Sequence, residues 1–212
     1  MINPKNIKDI TEIQKEIHQY GCYFLDSNVW IGYLEKQHLE KPFGYEKYIT
    51  FIDEIVRLNQ VENPKKIPPK IAITSLLLSE VINRYVRDIA MQLFFGKEVY
   101  KTKNFKKDYR HTSHYKQKLA DFVDTITGFE SAYILLNDNF NDIDFLAKLE
   151  TFKEDAGDFN DFYFYEIAKK NNIPIVTNDG DFQNYLGVDI ITDNKLLLRL
   201  KELSPKSNRY LS

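Results

Sequence analysis

The chain has almost no cysteine. Among its 212 residues only Cys22 carries a thiol, which excludes an internal disulfide and fits a reducing compartment. Its four histidines, His18, His38, His111 and His114, show no paired ligand spacing with a cysteine, so a zinc-finger type of site is excluded as well. Backbone breakers are scarce. Eight glycines and seven prolines leave little room for long disordered tracts, and a hydrophobic content of 43% is enough for a packed core. There is no internal repeat, no low-complexity tract and no Gly-rich phosphate loop. No apolar run approaches the roughly 18 residues a membrane helix needs. The first twenty residues are charged and polar, without a signal-peptide core. These absences lead to the expectation of a soluble, cytoplasmic protein with no membrane partner.

Charge is present but segregated. Residues 97–118 hold Lys97, Lys101, Lys103, Lys106, Lys107, Arg110, Lys116 and Lys118 against Glu98 and Asp108. That stretch carries +6 of a formal net charge of −2, leaving −8 for the remainder. Tyr100, Phe105, Tyr109, His111, His114 and Tyr115 interleave with the basic residues. Lys and Arg neutralise phosphates while aromatic rings stack on unpaired bases, so the stretch is a candidate RNA-binding segment through Lys101, Lys103, Lys106, Lys107 and Arg110.

Short apolar strands alternate with helical patterns, which argues an α/β fold with a mostly parallel sheet. Ile7, Ile10, Ile13 and Ile17 predict an amphipathic helix over 7–20, part of an N-terminal helical extension of residues 1–22. Tyr23 to Asp26 reads as a strand ending in an acid, and Val29 to Leu34 as the helix behind it. Residues 43–60 predict a further helix, followed by the breaker-rich ENPKKIPPK. Ile71 to Thr74 is a second strand, running into a long helix over about 75–95 with Leu78, Ile82, Tyr85, Val86, Ile89 and Leu93 as its core stripe. Helical patterns follow at about 118–136 and 142–153. Asp158 and Asp161 head a helix whose Phe164, Tyr165 and Ala168 continue one face. It gives way to a strand over Ile173–Thr177 and an acidic turn, Asn178-Asp-Gly-Asp181. Gly187 to Ile191 is a last strand and Asn194 to Leu203 a last helix. One domain, residues 23–203, accounts for this pattern, with the basic insertion near 97–118 and a tail at 204–212.

Four acids occupy corresponding places in that pattern. Asp26 ends a strand, Glu80 sits in the helix after the next strand, Asp161 heads a helix, and Asp179 follows the strand behind it. Ligands of open parallel sheets bind beyond the carboxyl ends of the strands. Carboxylates gathered there repel and raise one another's pKa, a cost that a divalent cation removes. An all-oxygen donor set suits Mg²⁺ or Mn²⁺. Such an ion activates water and stabilises phosphoryl charge, the chemistry of phosphodiester hydrolysis. Asp158 and Asp181 are further candidates, each also explained by capping or turn formation.

The segments FLDSNVWIGYL, ITSLLLSEVINRY and DFYFYEIAKKNNIPIVTNDGDF resemble the three signature regions of the PIN domain family of metal-dependent nucleases. That pattern is a strand-ending Asp followed by Ser/Thr and Asn, a helix Glu, an Asp heading a helix with Ala seven positions on, and a Thr-x-Asp after a strand. Its counterparts are Asp26, Glu80, Asp161 with Ala168, and Thr177 with Asp179. Ser27, Asn28 and Thr177 match the supporting polar positions. The resemblance implies a three-layer α/β/α sandwich, one or two Mg²⁺ or Mn²⁺ ions, catalysis by Asp26, Glu80, Asp161 and Asp179, and cleavage of RNA. It also makes an antitoxin or other regulatory protein, or a second copy of the chain, a conceivable partner. A non-cleaving RNA-binding or assembly module and a structure-specific DNA nuclease are the alternatives. Two departures stand out. The N-terminal helix, residues 36–70 and part of 95–150 exceed the compact members, and Phe162-Tyr-Phe-Tyr165 stands where small residues often pack, so that helix must sit differently or face an added element. A haloacid-dehalogenase-type phosphatase is excluded, because it needs a second Asp where Asn28 stands.

Overall fold

The computed structural model describes residues 6–35, 44–138, 141, 144–155, 158–185 and 187–202. Six short strands form one sheet: β1 (Ile7–Asp9), β2 (Cys22–Leu25), β3 (Lys70–Ile73), β4 (Tyr133–Leu135), β5 (Ile175–Val176) and β6 (Ile190–Thr192). Their order is β1-β6-β5-β2-β3-β4, and every pairing is parallel. The helices are α1 (Ile10–Lys15), α2 (Ser27–Glu35), α3 (Glu46–Asn59), α4 (Ser75–Arg84), α5 (Met91–Phe95), α6 (Ser113–Thr127), α7 (Phe145–Asp155), α8 (Phe159–Asn171) and α9 (Lys195–Glu202).

Alternation along β2 shows the layering. Successive strand residues point to opposite faces. Tyr23 meets Phe51 of α3 on one face, ring centroids 4.9 Å apart, and Phe24 meets Phe164 of α8 on the other, 5.5 Å apart. The sheet is therefore covered on both sides, as a parallel sheet must be, and the fold is a three-layer α/β/α sandwich. Its strand order reverses between β2 and β5, since β3 and β4 add on one side of β2 while β5 and β6 add on the other.

Three local readings of the sequence need correction. The isoleucine stripe of 7–20 is buried but is not one helix. Ile7 pairs with Ile190 in β1, Asp9 accepts the Thr11 N–H at 2.7 Å and so starts α1, and a short 3-10 turn, Ile17–Gln19, follows. Residues 133–135 are not the end of a helix. Thr112 caps α6, which ends at Thr127, and the chain then enters β4 at the sheet edge. The long helix does run from Ser75 to Phe95, but a π turn over Tyr85–Ala90 carries an extra residue. That residue moves the stripe, so the fully buried positions are Leu77, Val81, Tyr85, Val86, Ala90 and Met91, while Leu93 is exposed.

The aromatic run of α8 is buried all round, Phe162, Tyr163, Phe164 and Tyr165 alike. Phe164 packs on the sheet, Tyr165 stacks on Tyr185, and Phe162 lies 5.5 Å from Phe152 of α7. The helix thus faces an added element, α7, on the side turned away from the sheet. The basic stretch is folded as well. Tyr109 is buried, forming a small second core with Ala90 and Met91, and Phe95, Phe105 and Tyr115 pack around it. No helix among the described residues is long and apolar enough to cross a membrane.

Candidate active site

The strand order reverses between β2 and β5, and the carboxyl ends of the strands at such a reversal are the place where open α/β sheets bind ligands. Asp26 follows β2 there and Thr177-Asn178-Asp179 follows β5, with the two strand ends tied by Asp26 N–H to Val176 O at 3.0 Å. Thr74, after β3, caps α4 through the Leu77 N–H, which sets Glu80 in the second turn. Asp158 caps α8 through the Asn160 N–H, which sets Asp161 in its first turn. Four carboxylates, from four separate elements, therefore meet at one edge.

Asp26 is almost wholly buried, at 2% exposure. Thr177 Oγ1 donates to its Oδ2 at 2.6 Å and itself receives the Asp179 N–H at 2.9 Å. Asn28 braces the same turn, accepting the Asn178 N–H at 3.4 Å. Burial pushes the Asp26 carboxyl up to about 6; the Thr177 hydrogen bond opposes the rise and the charges of Asp179 and Glu80 add to it. Asp161 is pushed further, to about 8, by burial first and then by the charges of Asp26, Asp158, Asp179 and Glu80. One Glu80 oxygen, Oε2, is buried without a hydrogen-bond partner among the described residues. The other, Oε1, lies 3.6 Å from the Arg84 guanidinium, which also donates to Ser27 Oγ at 2.7 Å.

Asp158 and Asp181 sit differently. Both are exposed. Asp158 spends an oxygen on its helix cap, and Asp181 gives its N–H to Asp179 Oδ1 at 2.9 Å. The five basic candidates, Lys101, Lys103, Lys106, Lys107 and Arg110, are exposed. Phe105 lies over Arg87, at 5.0 Å, and Lys103 over the Phe95 ring, at 5.6 Å. At about 1.5 Å per residue, those anchors stand roughly 10 and 22 Å along the helix from Glu80.

A buried polar brace was not apparent in the sequence. Tyr48 of α3 is fully buried. Its hydroxyl lies 3.0 Å from Thr177 O and 3.2 Å from Asn178 Oδ1, and it accepts the Asp193 N–H at 2.7 Å. Asn194 Nδ2 donates to Asn178 O at 2.7 Å. The turn carrying Asp179 is thus held from both sides. The one available signal was a tyrosine within the apolar stripe of 43–60, which reads equally as packing.

Among the described residues, no three acidic, histidine or cysteine side chains are drawn close enough to clasp one ion as they stand. The convergence is electrostatic rather than a finished coordination shell, as expected of carboxylates that repel. The donor set nevertheless fits a hard divalent cation: it is all oxygen, one buried oxygen of Glu80 lacks a partner, and two carboxyls have raised pKa values that a cation would lower. A concavity of about 190 Å³ lies at the opposite edge, beside Tyr20, Pro174 and Asp189. Two of its polar groups, Tyr20 and Asp189, are bonded to each other and to Lys8, with the Lys8–Asp189 ion pair at 2.9 Å.

The PIN domain family model matches residues 23–187, the span that carries all four acids. The chain belongs to the PIN domain family. Its members are generally nucleases that use divalent metal ions. A search of curated proteins finds no match. Among solved structures, the chain is similar to one described as VapBC2 from Rickettsia felis bound to a DNA fragment from their promoter. The two share 14% identity at a TM-score of 0.48, with 81% of this chain and 98% of the other covered.

Proposed function

We propose that this PIN domain is a divalent-metal-dependent endoribonuclease, with Asp26, Glu80, Asp161 and Asp179 holding Mg²⁺ or Mn²⁺. The observation that carries this reading is the placement of those four carboxylates beyond the carboxyl ends of the strands, near enough for their charges to act on Asp26 and Asp161. A bound cation there supplies a water of lowered pKa and neutralises charge on the phosphoryl group. The chain's own residues do the rest. Thr177 fixes Asp26 by its 2.6 Å hydrogen bond, and Asn28 and Tyr48 hold the turn that presents Asp179. Burial and the neighbouring acids favour the protonated form of Asp161 in the metal-free protein, and a cation held there would favour its carboxylate. Ser27, Asn28 and Thr177 orient ligands rather than provide them. The exposed basic residues Lys101, Lys103, Lys106, Lys107 and Arg110 would grip the strand several nucleotides from the scissile bond.

Cleavage of a mixed RNA pool with Mn²⁺, compared with EDTA, tests the proposal. Wild type should cut only with metal, and Asp26→Asn or Asp161→Asn should remove cutting while the fold persists. Metal-independent binding without cleavage would favour an RNA-binding or assembly module. Preferential cutting of branched or flapped DNA in competition would favour a DNA nuclease.

A further inference from the structure

Glu80 and Arg84 lie one turn apart on the same face of α4. One nitrogen of Arg84, Nη1, donates to Ser27 Oγ at 2.7 Å and stands 3.6 Å from Glu80 Oε1. Ser27 is buried and directly follows Asp26. A single guanidinium therefore joins the first residue of α2 to the Glu80 carboxylate, across the edge where the acids meet. Three other lysines among the described residues pair with acids outside the cluster. Lys47 and Lys195 bind Asp193, and Lys148 binds Glu166. Among the described residues, Arg84 is the one cation in an ion pair with a member of the carboxylate cluster.

Geometry separates this pair from an ordinary surface i,i+4 bridge. The Glu80 side chain is only 15% exposed, and its second oxygen is buried without a partner among the described residues. The Arg84 side chain is 44% exposed, which leaves part of it accessible to a ligand. A guanidinium presents five donors in a planar fork suited to phosphate oxygens.

We propose that Arg84 is a built-in counter-cation of the carboxylate edge, neutralising Glu80 and holding Ser27 in the metal-free protein, opposing the entry of a divalent cation, and serving the substrate phosphate as a positioning residue once metal has entered. The inference rests on the proposed metal site, but half of its test needs no metal. In EDTA, melting temperatures are compared for wild type, Arg84→Met, Glu80→Gln and the double variant. Arg84→Met should lower melting by about 3 °C in the wild-type background, a typical scale for an ion pair in a protein this long. In the Glu80→Gln background the fall should be less than half as large, because the charge it balanced is gone.

Mn²⁺ titration followed by melting supplies the second readout. The half-saturating concentration should fall about fivefold in Arg84→Met, because a competing positive charge has left. Arg84→Lys keeps the charge and should stay near wild type. Arg87→Met, which removes a cation held over Phe105 rather than over the acids, should not shift it. In cleavage, Arg84→Met should raise KM and lower kcat although metal binds more tightly, a combination that loss of packing does not produce. Arg84→Gln replaces Arg84→Met in every measurement if the latter fails to fold. Equal melting losses in both backgrounds together with an unchanged Mn²⁺ midpoint would overturn the assignment. If wild type ignores Mn²⁺ altogether, the metal reading fails, and the EDTA cycle still decides whether Arg84 balances Glu80.

Discussion

Replacing Asp161 by Asn should make the metal-free protein more stable, and only above acidic pH. The Asp161 carboxyl rises from 3.8 to about 8 on folding, through burial and the neighbouring charges of Asp26, Asp158, Asp179 and Glu80. A group raised in this way binds a proton more tightly in the folded than in the unfolded chain, so stability falls as pH climbs from about 4 to about 8 and then levels. Without solvent screening the ionised carboxylate would cost about 6 kcal/mol above pH 8. Asp161 is only part-buried, and screening reduces the working figure to about 2 kcal/mol. For a chain of this length that is about 4–8 °C in melting temperature. Thermal unfolding in EDTA from pH 4 to pH 9 measures it. The Asn variant and wild type should coincide near pH 4 and separate progressively up to pH 8, with the variant the more stable. A difference independent of pH, or a variant that melts lower at pH 8, would refute the argument that these carboxylates meet.

Millimolar Mn²⁺ should raise the wild-type melting temperature, since a ligand at a hundredfold excess over its Kd contributes about 2.7 kcal/mol. Asp161→Asn should lose most of that increment, and Asp108→Asn, in the basic stretch, should keep it; identical responses would place the ion elsewhere. Changing Lys103, Lys106, Lys107 and Arg110 to Ser should weaken RNA binding across sequences. It should also flatten the slope of log affinity against log salt by up to about 3, read from binding isotherms at several ionic strengths. Tyr48→Phe strips a hydroxyl from the Thr177, Asn178 and Asp193 groups and leaves buried partners unpaired, at about 1–3 kcal/mol. Its melting temperature should fall by several degrees, and its turnover should fall further than a matched core substitution such as Ile55→Val.

The candidate site was legible in the sequence because each acid sits beside a strong local signal. Asp26 and Asp179 follow short apolar runs, and Asp158 and Thr74 are caps that fix where α8 and α4 begin, hence where Asp161 and Glu80 point. What escaped were features decided at a distance. Residues 7–9 are a strand only because β6 lies beside them, and residues 133–135 only because β3 does; three residues hold too little periodicity to announce either. The π turn over Tyr85–Ala90 is invisible to any rule built on a fixed helical period. Tyr48 and Arg84 were concealed for another reason. A tyrosine in an apolar stripe and an arginine four residues after a glutamate are commonplace, and only the partners they meet, Thr177 and Ser27, give them a role.

The strand order also dictates when the molecule can be completed during its synthesis. Among the described residues, β1 finds its partner only in β6, at residues 190–192. The segment β2–β3–β4, by contrast, can pair in the sequence in which it leaves the ribosome. An emerging chain therefore holds two strand edges open at once, the outer side of β2 awaiting β5 and the whole of β1 awaiting β6. Closing a loop of this length costs little more than closing one half as long, but it must come late. The carboxylates of Asp26 and Glu80 consequently wait for Asp161 and Asp179, and the acidic edge is complete only once the chain has emerged through β5.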